Sequence, residues 1–205
     1  MSENQVVGTV VSLRAFPVKS MDAGPLARAD VLASGVRHDR GWAVLDESGD
    51  VVTSRTSDAL RTVRADVTDR GPVITVPGGK PVTGAAADAA LSQLVGRPVT
   101  VRASTGAGFN EVAPVHLVSR QAIERGADHD DHGEQCPCSV EEPRANLVLD
   151  LAGEALETGW VGARLRIGGA VLQVSKAPRH CLGVYADVVT EGAVAEGDEV
   201  VLTRD

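Results

Sequence analysis

One of the three cysteines in this chain of 205 residues has neighbours suited to a reactive thiol. Cys181 closes the run Lys176-Ala177-Pro178-Arg179-His180-Cys181, directly after the apolar stretch AVLQVS. Nearby positive charge favours thiolate over thiol, and a thiolate is both a nucleophile and a soft metal ligand. The plainer alternative is a buried, inert small hydrophobe, because free cysteine is often interior. A second cluster, Phe16-Pro17-Val18-Lys19-Ser20, leaves a strand and meets Gly24. Lys supplies charge, Ser a hydroxyl donor and Gly close approach, a combination that suits phosphate. Arg37-His38-Asp39-Arg40 forms another basic patch ahead of the strand GWAVLD. Arg144 and Asn146 alternate on entering a strand, so they point the same way. Arg grips phosphate or carboxylate as a fork, and Asn reads an amide or heterocycle edge. Taken singly, each of these three patches reads first as a solvated turn or a polar strand edge.

The longest irregular stretch, ADHDDHGEQCPCSVEEP over 127–143, holds His129, His132, Cys136 and Cys138. Imidazole and thiolate ligands so close together could hold zinc. The spacing is not a C-x-x-C pair and acidic neighbours crowd it, which favours a plain acidic loop. A disulfide or persulfide relay from Cys136 or Cys138 to Cys181 is a further option. Neither a Ser-His-Asp arrangement nor a P-loop is present. Gly106-Ala107-Gly108 lacks the third glycine of a dinucleotide fingerprint.

These residues need a scaffold, and the pattern is one of short strands. Val6–Phe16, Gly41–Glu47, Asp50–Ser54, Val63–Thr68, Val73–Val76 and Val99–Ala103 have strand character. His116–Val118, Asn146–Asp150, Ala163–Ile167, Ala170–Ser175, Tyr185–Val189 and Val200–Thr203 continue it. Many short strands punctuated by glycine predict a closed or partly closed β-barrel. Two helices are expected. Ala85–Val95 has Thr83 as cap and Gly96 at its stop, and Ser119–Arg125 opens on Ser119.

Composition narrows the function classes. With 28 acidic against 20 basic residues the net charge is -8, which argues against non-specific nucleic-acid binding. Only five aromatics, Phe16, Trp42, Phe109, Trp160 and Tyr185, weaken any base-stacking platform. No apolar run approaches a membrane span, the N-terminus shows no secretory signal, and the odd cysteine count suits a reducing cytoplasm. The expectation is a cytoplasmic protein with no nucleic-acid or membrane partner.

Together the blocks resemble a known family. The stretch FPVKSMDAGPLARADVLASGVRHDRGWAVLDESGDVVTSR is similar to the N-terminal β-barrel that precedes MOSC (molybdenum cofactor sulfurase C-terminal) domains. PVHLVSRQAIERG, PRANLVLD, ETGWVGARLRIGGAVLQVSKAPRHC and GVYADVVTEGAVAEGDEVVL resemble successive blocks of the MOSC domain itself. The resemblance implies a mainly β chain: a β-barrel MOSC fold with a preceding N-terminal β-barrel-like region and a few short helices. It implies domains over 1–105 and 106–205. Relatives such as the amidoxime-reducing components bind molybdenum cofactor (molybdopterin), and the family cysteine ligates the metal. That cysteine maps to Cys181, catalytic residue and metal ligand at once. The cofactor-binding positions map to Lys19, Ser20, Arg40, Ser119, Arg144, Asn146 and Tyr185, with Arg179 as a further wall of the site.

Two departures stand out. The segment between the cysteine and the G-x-Y block is shortened to Leu182, and no cysteine follows Cys181 to build an iron–sulfur module. Electrons would then come from a separate electron-transfer protein. The leading expectation is an oxidoreductase reducing N-oxygenated small substrates by oxygen-atom transfer. The alternatives are a sulfur carrier loaded by a pyridoxal-phosphate-dependent cysteine desulfurase, and a non-catalytic cofactor-binding module.

Overall fold

The computed structural model describes residues 3–106, 108–110, 112–127, 143–153, 156–178 and 181–204. Strands run over Glu3–Leu13 (β1), Arg28–Leu32 (β2), Gly35–Val36 (β3), Trp42–Asp46 (β4), Val51–Val52 (β5), Arg64–Thr68 (β6) and Gly71–Thr75 (β7). The helix Ala85–Val95 (α1), strands Val99–Ala103 (β8) and Val115–Ser119 (β9), and the helix Arg120–Ala127 (α2) follow. The chain continues through Leu147–Leu151 (β10), Arg164–Ile167 (β11), Ala170–Lys176 (β12), Val184–Thr190 (β13), Gly192–Ala195 (β14) and Glu199–Arg204 (β15). The protein is mainly β, as the glycine-punctuated pattern predicts.

Two compact units form. The first comprises Met1–Arg14, Pro25–Arg37 and Val112–Asp205; the second comprises Ala15–Gly24 and His38–Glu111. In the first unit seven strands close a barrel in the order β1-β10-β9-β13-β12-β11-β15. All its pairings are antiparallel except β9 with β10, where Leu117 faces Leu147 and Ser119 faces Leu149. A parallel pair needs a crossover, and α2 lies in it. Alternation fills the interior. Leu147, Leu149, Leu165, Ile167, Leu172 and Val174 are all buried, while Arg164, Arg166 and Gly168 beside them are exposed. A three-stranded sheet, β14-β2-β3, belongs to the same unit.

The second unit combines the sheet β5-β4-β8, the hairpin β6-β7 and α1. Its core includes Val18, Met21, Val44, Leu60, Ile74 and Leu91. The turn at Ser48-Gly49 forms as expected. Gly49 is left-handed at φ +84°, and its N–H donates to the Asp46 carbonyl at 3.0 Å.

Local differences from the expectations have local causes. Thr83 does not cap α1; the N-cap is Gly84 at φ +55°, a backbone region that glycine enters without strain. Ser119 does cap α2, its Oγ accepting the Ala122 N–H at 3.0 Å, and α2 then runs two residues beyond Arg125. Strands β2, β3 and β14 escape the pattern because they are short or built from small and exposed residues, with little alternation to read. No helix among the described residues is long and apolar enough to cross a membrane.

Candidate functional site

The second unit holds Lys19, Ser20 and Arg40. The segment Phe16–Met21 is pinned by burial of Phe16, Val18 and Met21, and Lys19 and Ser20, each less buried, stand between Val18 and Met21. Main-chain bonds lace it to the segment His38–Trp42. The Arg40 N–H donates to Phe16 O at 2.7 Å, the Lys19 N–H to Trp42 O at 2.9 Å, and the Trp42 N–H to Pro17 O at 3.0 Å. A third loop joins them. The Phe109 N–H donates to Arg40 O at 2.8 Å, and Lys19 Nζ donates to Phe109 O at 3.3 Å. The Arg40 guanidinium carbon lies 5.3 Å from the Phe16 ring centroid, a cation–π contact, and its Nη1 pairs with Asp39.

Backbone strain concentrates in the same place. Among the described residues the non-glycine positions with positive φ are Ser20 at +71°, His38 at +68° and Arg40 at +50°. Such conformations cost energy and persist where surrounding structure over-determines them, commonly at ligand-binding sites. All three fall in the two blocks read from sequence as anion-binding patches.

The barrel unit holds Ser119, Arg144, Asn146, Cys181 and Tyr185. Asn146 is 1% exposed, and its side chain ties strand ends together. Its Oδ1 accepts the His116 N–H at 3.0 Å and its Nδ2 donates to Arg14 O at 3.3 Å. Ser119 is fully buried at the β9–α2 elbow, where its N–H donates to Glu157 Oε1 at 3.0 Å. Arg144 is half-buried just before β10. Tyr185 sits opposite His116 across β13 and β9, with ring centroids 4.7 Å apart.

Cys181 lies half-buried in the connection between β12 and β13 and is disulfide-bonded. The adjoining turn is fixed from two directions. His116 Nε2 lies 2.9 Å from Leu182 O, and Gly183, at φ +89°, packs so closely on Leu117 that a Cβ there would overlap its carbonyl oxygen. Arg179, and the cluster His129, His132, Cys136 and Cys138 raised for zinc, lie outside the described residues. Among the described residues no group of metal-ligating side chains gathers.

Three further residues shape these regions: Asp39, Phe109 and His116. Asp39 carried a signal, an acid inside a basic block. Phe109 acts through its main chain, which no sequence pattern reports, and a lone histidine within a strand is ordinarily core.

Residues 7–115, more than half of the chain, match the family model for the MOSC N-terminal beta barrel domain. The chain belongs to the MOSC family. This MOSC protein is 40% identical over 60 residues to mitochondrial amidoxime-reducing component 1 of Homo sapiens, a match covering 27% of this chain and 18% of that one. It is 42% identical over 60 residues to mitochondrial amidoxime reducing component 2 of Homo sapiens, with the same coverage. The matched stretch is thus less than a fifth of those relatives' length. A crystal structure of the YUAD protein from Bacillus subtilis aligns over 100% of both chains at 14% identity and a TM-score of 0.49.

Proposed function

We propose that this MOSC protein binds molybdenum cofactor and reduces N-oxygenated small molecules with electrons from a separate electron-transfer protein. The observation that carries the reading is the coincidence of strain and charge in the second unit. Ser20 and Arg40 are held left-handed beside Lys19, in segments laced by main-chain hydrogen bonds. Preorganised cations and a hydroxyl suit the phosphate tail of a pterin. The names of the amidoxime-reducing relatives supply the substrate class.

In this reading Lys19, Ser20 and Arg40 hold the phosphate, and Cys181 as thiolate ligates the metal. Ser119, Arg144, Asn146, Arg179 and Tyr185 complete the binding set. When bound, the cofactor supplies two-electron oxygen-atom transfer, chemistry that belongs to the cofactor rather than to the protein. The protein's own part is to orient and to ligate. The Lys19 ammonium and Arg40 guanidinium neutralise phosphate charge. Asn146 fixes the main chain where β10 begins, so that Arg144, two residues upstream, starts from a fixed backbone. His116 and Gly183 set the turn beside Cys181. Because Cys181 is disulfide-bonded in this structure, its sulfur must be reduced before it can serve as a ligand.

The deciding measurement is metal and pterin analysis of the chain from a cofactor-replete host, beside Cys181→Ser. Molybdenum and pterin in the wild type, with molybdenum lost in the variant, sustain the proposal. Wild-type protein with neither overturns it. The alternative reading is a sulfur carrier, in which Cys181, once reduced, would take a sulfane sulfur from the persulfide of a cysteine desulfurase. Incubation of reduced protein with a cysteine desulfurase and mass spectrometry separates the two, since only a carrier gains one sulfur atom at Cys181.

A further inference from the structure

We propose that Asp39 is the positioning residue of the anion-binding segment, holding the Arg40 guanidinium for a phosphate although its own charge opposes one. The inference rests on the reading that Lys19, Ser20 and Arg40 bind phosphate.

The Asp39 side chain is 1% exposed and both its oxygens are used. Oδ1 accepts the Phe16 N–H at 2.8 Å, and Oδ2 pairs with Arg40 Nη1. One carboxylate therefore joins the start of the Phe16–Ser20 segment to the side chain of Arg40. The remaining handles of Arg40 are fixed too. Its N–H donates to Phe16 O, its carbonyl accepts from Phe109, and its guanidinium lies over the Phe16 ring. Arg40 itself sits at φ +50°, a conformation that non-glycine residues hold only under such constraint.

Charge makes the placement informative. A carboxylate this close to an anion site repels the anion, and burying it costs desolvation. A chain with 28 acidic residues has no shortage of surface for them, yet this one is interior and touches the anion-binding arginine. Geometry resolves the conflict. A guanidinium is a planar fork that serves a carboxylate on one edge and a phosphate on another, and fixing one edge removes the ordering cost at the other. Bulk electrostatics and positioning thus predict opposite signs for loss of the Asp39 charge.

The test uses the full chain, with inorganic phosphate as probe in an NMR titration at low ionic strength and pterin retention after purification as the second readout. Asp39→Asn keeps an acceptor for the Phe16 N–H but turns a donor toward Arg40. It is expected to weaken phosphate binding about tenfold, the size of one charge-assisted hydrogen bond, although it makes the chain less acidic. Arg40→Lys keeps the charge without the planar fork and is expected to lose about as much. In an Arg40→Ala background, Asp39→Asn is expected to add nothing. Phosphate binding as tight as wild type or tighter in Asp39→Asn overturns the proposal, as does wild-type binding by Arg40→Lys or an additive double variant. If Asp39→Asn does not fold, Asp39→Glu decides: it keeps the charge but moves the carboxylate, so weakened phosphate binding is expected and wild-type binding overturns the proposal. Wild-type phosphate binding and pterin retention by Arg40→Ala would overturn the phosphate reading itself and the role of Asp39 with it.

Discussion

In the second unit, the main chains of Lys19 and Arg40 are held by hydrogen bonds that lace three loops over buried Phe16 and Val18, and Ser20 follows Lys19 in the same segment. In the barrel unit, Cys181 lies in a connection between strands whose neighbours Leu182 and Gly183 are gripped from β9, by the His116 ring and the Leu117 carbonyl. The first region stores backbone strain in non-glycine residues; the second meets its close approach with glycine. The difference suits the chemistry proposed for each. Phosphate recognition needs charged side chains at fixed angles, so left-handed positions must carry Ser and Arg rather than glycine. Sulfur chemistry needs one accessible atom that can change oxidation state, and a short glycine-bounded turn suffices.

The contrast can be broken by variants that act on one region alone. The largest effect is expected from Cys181→Ser: near-total loss of molybdenum with pterin retained, measured by metal analysis and oxidised-pterin fluorescence. Joint loss of both would mean that the regions do not divide the work. Next, Lys19→Ala removes one charge-assisted contact and is expected to lower pterin retention roughly tenfold while leaving the thiol reactivity of Cys181 after reduction unchanged. Prior reduction is expected to raise molybdenum uptake severalfold in wild type, because the disulfide masks the sulfur; uptake indifferent to reductant would sink that reading. Asn146→Ala strips two part-buried side-chain hydrogen bonds, which is expected to cost about 2 kcal/mol in urea unfolding. The smallest effect is expected from His38→Gly, which relieves one left-handed residue and is expected to change stability by less than about 1 kcal/mol with phosphate binding unaltered.

Much of this arrangement is legible in the residues themselves. Helix α1 matches its expected bounds because Gly96 provides a left-handed stop and Leu91 a buried face. Strand β10 is readable from its apolar run Leu147-Val148-Leu149, although the alternation of its burial is not. What patterns miss is long-range. That β1 pairs with both β10 and β15 is decided by contacts across almost the whole chain, with Glu3 opposite Arg204 and Leu13 opposite Leu147. The candidate site divides the same way. Residue types mark Lys19, Arg40 and Cys181 as chemistry. The work of Asp39 and His116 depends on which main-chain atom each one meets in space. Surface concavity is no better a guide: a cavity of about 350 Å³ on the barrel flank, lined by Gln5, Val6, Trp160 and Arg204 among others, contains none of the candidate residues.

The three left-handed side chains carry a consequence for how such a protein drifts. Each holds the fold at a cost of order 1 kcal/mol that glycine would avoid. Selection for stability alone would therefore erode Ser20 and His38 toward glycine, and a library screened only for heat resistance should return those changes early, whereas Arg40 is also kept by its pairing with buried Asp39. A lineage that keeps Ser20 reveals a second selection pressure, and the ratio of glycine gain at His38 to that at Ser20 would measure its strength.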